Sequence, residues 1–275
     1  SASLTLASPG ATNSLGANAA LLVDGVLPTV TAVSSTSNNG SYKFDDTIPI
    51  TITFSEAVTV SGTPQLTLET GLSDAVVNYT SGSGGSTLTF NYTVLSGHNS
   101  SNLDYVSSSA LSLNSGSIAD AAGNNATLTL VSPGATASLG SNKSIVIDGI
   151  VPTISIVTST SSDGNYSAGD VIPISILFSE SVTVSGTPQL TLETGSSDAV
   201  VNYTSGSGTP TLVFNYTVAS GHTSSDLDYA STSALALNSG TVNDAAGNPS
   251  ILTLSSPGSV TSLGGQKGFI IDTTP

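Results

Sequence analysis

The sequence predicts an all-β protein made of tandem β-sandwiches, and three observations carry that prediction. Phrases recur at one spacing: GTPQLTLETG begins at Gly62 and Gly186, DAAGN at Asp120 and Asp244, and a linker proline falls at Pro28 and Pro152, each pair 124 apart in a chain of 275. Inside each copy, apolar and polar residues alternate at the period of a half-buried strand. Glycine, proline and asparagine clusters then interrupt the runs every 8 to 12 residues or so, as short antiparallel strands require.

The elements follow from these patterns in order. In TIPITITFSE, Ile48, Ile50, Ile52 and Phe54 face one way and Thr47, Pro49, Thr51 and Thr53 the other. STLTFNYTV repeats the logic, with Leu88, Phe90, Tyr92 and Val94 inward. β-Branched threonine on the outer face suits a strand better than a helix. Strands are expected near 28–36, 47–58, 64–69, 75–80, 86–95, 110–114 and 143–148, with a further one left open at 126–131, and no segment sustains a helical period. The inward set Ile48, Ile50, Ile52, Phe54, Leu66, Leu68, Leu88, Phe90, Leu111 and Leu113 is the expected first core. Some seven short strands in one repeat read as an immunoglobulin-like sandwich.

Domain boundaries come from the same alignment. Residues 1–26, SASLTLASPGATNSLGANAALLVDGV, match NATLTLVSPGATASLGSNKSIVIDGI at the end of the first full copy, and are expected to be the C-terminal remnant of a preceding repeat. Residues 27–150 and 151–275 are then the first and second repeats. The remnant carries apolar stretches at Leu4–Leu6 and Ala20–Val23, expected to be strands ordered by pairing along an exposed sheet edge. With no methionine, even at position 1, the chain is expected to be a processed or excised segment of a longer array.

Composition narrows the function classes. Three Lys/Arg against eighteen Asp/Glu give a formal charge of −15, a field that repels nucleic acid and anionic membranes and attracts cations. Hydrophobic content of 37% suffices for packed cores, while absent cysteine removes disulfides, thiolate metal sites and a cysteine nucleophile. No apolar run is long enough to span a bilayer.

The run FSEAVTVSGTPQLTLETG, then SGSGGSTLTFNYTV, the closing DAAGN and the junction IDGIVPT together resemble the bacterial Ig-like repeats of very large secreted adhesins and other surface proteins. The resemblance covers essentially the whole chain. It implies an extracellular or cell-surface rod segment, often stiffened by calcium at its joints.

Enzyme chemistry has few ingredients. His98 and His222 occupy equivalent Ser/Gly-rich loops with no nucleophile elbow nearby and are expected to be surface-loop residues, and no tryptophan is present to hold a sugar in a glycosidase cleft. The eight tyrosines leave glycan binding as an alternative, although half of them fall on inward positions.

The acidic residues are the informative set, because fifteen of the eighteen recur at the repeat period. No EF-hand loop or glycine-rich nonapeptide is present, so a calcium site has to be assembled across loops. The strand through FSE carries Glu56, and the DAAGN loop brings Asp120, to the end where the linker supplies Asp24; at the next joint the set is Asp148, Glu180 and Asp244. Asp46 and Asp170, at the opposite pole, are expected to complete the joint from the preceding domain. Converging carboxylates with few basic neighbours call for a hard cation, and Ca2+, with six to eight oxygens including carbonyls, Asn124 or Asn248 and water, suits them. The expected function is a non-enzymatic structural spacer whose partners are the neighbouring repeats. The alternative is a self-assembling filament or surface layer in which other copies pair along strand edges.

Overall fold

The computed structural model describes residues 4–21 and 23–273 and shows two β-sandwich immunoglobulin-like domains in tandem. A single helical turn, α1 (Leu15–Asn18), precedes the first. That sandwich runs β1 (Val30–Ser35), β2 (Gly40–Lys43), β3 (Thr47–Ser61), β4 (Gln65–Leu68), β5 (Ala75–Ser81), β6 (Gly85–Thr93), β7 (Asn99–Ser100), β8 (Leu111–Ser112) and β9 (Ser117–Ala119), then the helical turn α2 (Leu139–Asn142) and β10 (Ile145–Asp148). The second, from Ile154–Ser159 to Phe269–Asp272, repeats the order.

The long strand β3 organises each domain. Its alternation buries Ile48, Ile50, Ile52 and Phe54, and it pairs antiparallel with β1 on one side and β6 on the other, Ile50 opposite Phe90 and Ile52 opposite Leu88. The β3–β6 register then slips between Thr53 and Val58, and beyond the slip β3 pairs with β9. Strand β5 changes partners: Ala75–Asn78 pair with β4, Tyr79 and Ser81 with β6. A separate three-stranded sheet places β10 between β2, in parallel, and β7, antiparallel. Nine of the ten expected core residues are buried, and Leu113 packs half-buried at the margin.

Several expectations need correction. Strands β2, β7 and β9 were not expected, and residues 126–131 form no strand but one parallel bridge, Thr29 to Thr127. Among the described residues Leu4–Leu6 and Ala20–Val23 are not in strand either; Leu22 lies outside them. The helical turns arise because Ser14, Ser138 and Ser262 cap a four-residue stretch too short to show a period. His98 is not a surface histidine: it is buried against Tyr92, whose hydroxyl lies 2.9 Å from Nδ1. Among the described residues no helix is long and apolar enough to cross a membrane.

Candidate metal centre

Three chain segments meet at the N-terminal end of each sandwich. The register slip in β3 holds Glu56 out of the ladder, next to the incoming linker. Ser55 ties the two together, its N–H donating to the Thr29 carbonyl at 2.8 Å and its hydroxyl accepting from the Thr29 N–H at 3.1 Å. Ser179 and Thr153 repeat the pair at 2.8 and 3.0 Å. The DAAGN loop folds on itself: Asp120 Oδ1 accepts from the Asn124 N–H at 2.8 Å and Oδ2 from Asn124 Nδ2 at 2.7 Å. In the second copy Asp244 accepts the same two bonds from Asn248, at 2.8 and 2.7 Å.

Linker, strand and loop together place Asp24 with Glu56 and Asp120, and Asp148 with Glu180 and Asp244, one carboxylate oxygen from each residue lying within 4.8 Å of the others in its triad. Burial, then the charges of Asp148 and Asp244, push the Glu180 carboxyl above its ordinary value, and burial with Asp24 and Asp120 does the same to Glu56. Burial works against the ionised form of Asp120 too. There the bonds from Asn124 and the amides of Ala122 and Gly123 outweigh it and hold the carboxyl below its usual value. The first triad therefore pairs an aspartate held as an anion with a glutamate whose ionisation is opposed, and in the second the ionisation of Glu180 is opposed in the same way.

The donor set fits a hard cation. All three ligands are carboxylate oxygens, with no nitrogen or sulfur among them, and Glu180 Oε1 is a buried oxygen with no hydrogen-bond partner. Such an orphaned acceptor is uncommon unless something else satisfies it.

The remaining expected ligands stand elsewhere. Asp46 Oδ2 accepts from the Lys43 N–H at 2.9 Å and Asp170 Oδ2 from the Ser167 N–H at 2.8 Å, so each closes its own loop and neither belongs to a triad. The loop of Asp46 nevertheless reaches the joint, where the Phe44 N–H donates to Asn248 Oδ1 at 2.8 Å. Asn248 is fully buried, and its Nδ2 also donates to the Asp148 carbonyl at 2.8 Å. Its oxygen thus serves the contact between sandwiches, a role that depends on the preceding domain and has no signature within DAAGN itself.

Residues 24–132 match the family model of the bacterial Ig-like domain. No curated protein matches the chain. Among solved structures, the I-band fragment I67-I69 from titin is similar at 9% identity and a TM-score of 0.31, covering 91% of this chain and 66% of that one.

Proposed function

Because residues 24–132 match the bacterial Ig-like domain and the second sandwich repeats them, we propose that the chain is a non-enzymatic extracellular spacer, a rod segment of a large repeat adhesin or surface protein with calcium at its joints. The observation that carries the joint is the convergence of Asp148, Glu180 and Asp244, repeated by Asp24, Glu56 and Asp120. Asp148 ends β10 of the first sandwich, while Glu180 lies on the slipped strand and Asp244 in the loop of the second, so holding the three together fixes the end of one sandwich to the body of the next. Calcium, when bound, supplies the positive charge these carboxylates lack. Asn248 extends the restraint to the preceding sandwich through Phe44.

Small-angle scattering and thermal melting of the chain, with calcium and with chelator, test this reading. Calcium is expected to lengthen and narrow the distance distribution and raise the melting temperature; superimposable curves up to millimolar calcium would overturn it.

A self-assembling filament is the second reading, favoured by the exposed apolar residues between Leu4 and Val23, and it requires concentration-dependent association. Glycan binding has less support, since none of the eight tyrosines is exposed and four are almost fully buried.

A further inference from the structure

Residues 4–21 hold the shape of a piece that closes a sandwich, while their apolar side chains stand uncovered. In the first repeat the closing piece is residues 128–147. It turns at Gly134 (φ 76°), passes Ala137 (φ 77°), forms α2 under the Ser138 cap and ends in β10. Offset by 124, the leading segment turns at Gly10 (φ 81°), passes Asn13 (φ 72°) and forms α1 under the Ser14 cap. Even the local bonds coincide: the Ala11 N–H donates to the Ser8 carbonyl and the Ala19 N–H to the Leu15 carbonyl, as Ala135 to Ser132 and Lys143 to Leu139.

What differs is burial. Leu130, Leu139, Ile145 and Ile147 are 3%, 0%, 0% and 1% exposed, whereas Leu6, Leu15, Leu21 and Val23 at the same places are 90%, 71%, 66% and 92% exposed. The body that covers the first set is on hand to show what the second requires. Tyr105 donates its hydroxyl to the Val131 carbonyl, the Val33 N–H donates to the Ala137 carbonyl at 2.9 Å, and β2 and β7 flank β10. Both bodies in this chain are already closed by their own segments.

We infer that residues 4–23 are a preformed closing strap whose partner is a third sandwich body of the same kind, equivalent to residues 28–124 and lacking a strap of its own. The strap's turn and capped helix are set locally, so docking orders few new dihedrals while burying four large apolar side chains. Specificity lies in the partner's open seam between the strands equivalent to β2 and β7 and in the carbonyl and amide positions that meet the strap.

Fusing a copy of residues 28–124 directly before Ser1 restores the repeat period, because Ser1 takes the place of Asn125. In that extended chain, amide hydrogen exchange at Leu15, Leu21 and Val23 is expected to slow by about a hundredfold or more relative to the 275-residue chain, with a third cooperative melting unit. Leu15→Asp is expected to abolish both effects in the extended chain and to leave the melting of the 275-residue chain unchanged. Strap amides that exchange as fast with the added body as without it would overturn the inference, as would an added body that stays unfolded. Association of the original chain that Leu15→Asp abolishes would also overturn it, by assigning the strap to a second copy.

Discussion

The backbone N–H of Phe44 in the first sandwich donates to Oδ1 of Asn248 in the second, at 2.8 Å, and so ties one domain to the loop that holds the next domain's aspartate. Asn124, the counterpart of Asn248, bonds the Asp24 carbonyl and Asp120 but is only half-buried. Asn248→Ala is therefore expected to lose about 1 kcal/mol more than Asn124→Ala, the net worth of one further buried hydrogen bond. Denaturant unfolding of the two variants checks the difference, and scattering should show a wider spread of domain angles for Asn248→Ala alone.

Glu180 sits where burial and two aspartates oppose its charge. Glu180→Gln removes a repelling carboxylate and a proposed calcium ligand together. In chelator the variant should melt no lower than the parent, while the calcium-dependent rise in melting temperature should fall by at least about half, as linkage requires when affinity drops. Calorimetry with and without calcium separates the two effects.

His98 Nδ1 receives the Leu95 N–H at 3.3 Å, so the ring accepts there, and the Tyr92 hydroxyl lies 2.9 Å from the same nitrogen. Burial pushes the imidazole below its ordinary value of 6.5. A folded-state value below the unfolded one means that the unfolded chain takes up the proton first. The contribution is thus fully present above about pH 6.5 and is lost as pH falls through the folded value. Urea midpoints of the first sandwich should decline between pH 7.5 and 5.5 in the parent and decline less in His98→Gln.

Gly149, just after β10, accepts from the Gly97 N–H at 2.9 Å and donates to the His98 carbonyl at 2.7 Å. A Cβ at Gly149 would lie 2.3 Å from the Leu95 carbonyl oxygen, whereas one at Gly25 would meet nothing within 4 Å. Gly149→Ala should cost about 1–3 kcal/mol through forced displacement of backbone, and Gly25→Ala less than about 0.5 kcal/mol in this chain. Thermal melts of the two variants check the contrast.

The features of this architecture that were legible are those encoded locally or by repetition. Ile48 to Phe54 alternate within one strand, so their common face could be read directly, and the strand through Glu56, the DAAGN loop and the linker at Asp24 could be traced to one end of the sandwich. Strand β2 was hidden because its partner β10 lies about a hundred residues away and its own four residues do not alternate cleanly. His98 was misread because its Ser/Gly-rich loop has the composition of a surface turn, while the hydroxyl that receives it comes from the adjacent strand. Asp46 and Asp170 were placed at the joint by position alone; a turn amide three residues back bonds one oxygen of each, and neither joins a triad.

Strand β10 leaves the first sandwich toward the linker while lying parallel to β2, with Ile145 beside Gly40 and Asp148 beside Lys43. Tension that reaches Gly40 and Asp148 would pull these neighbours past each other lengthwise. Four rungs share the load at once, as in a lap joint, where an antiparallel pair pulled from its open end would unzip rung by rung. Gly164–Tyr166 against Phe269–Ile271 repeats the arrangement in the second sandwich. In the proposed spacer, the length held under load would then depend on how seldom one of these lapped pairs slips.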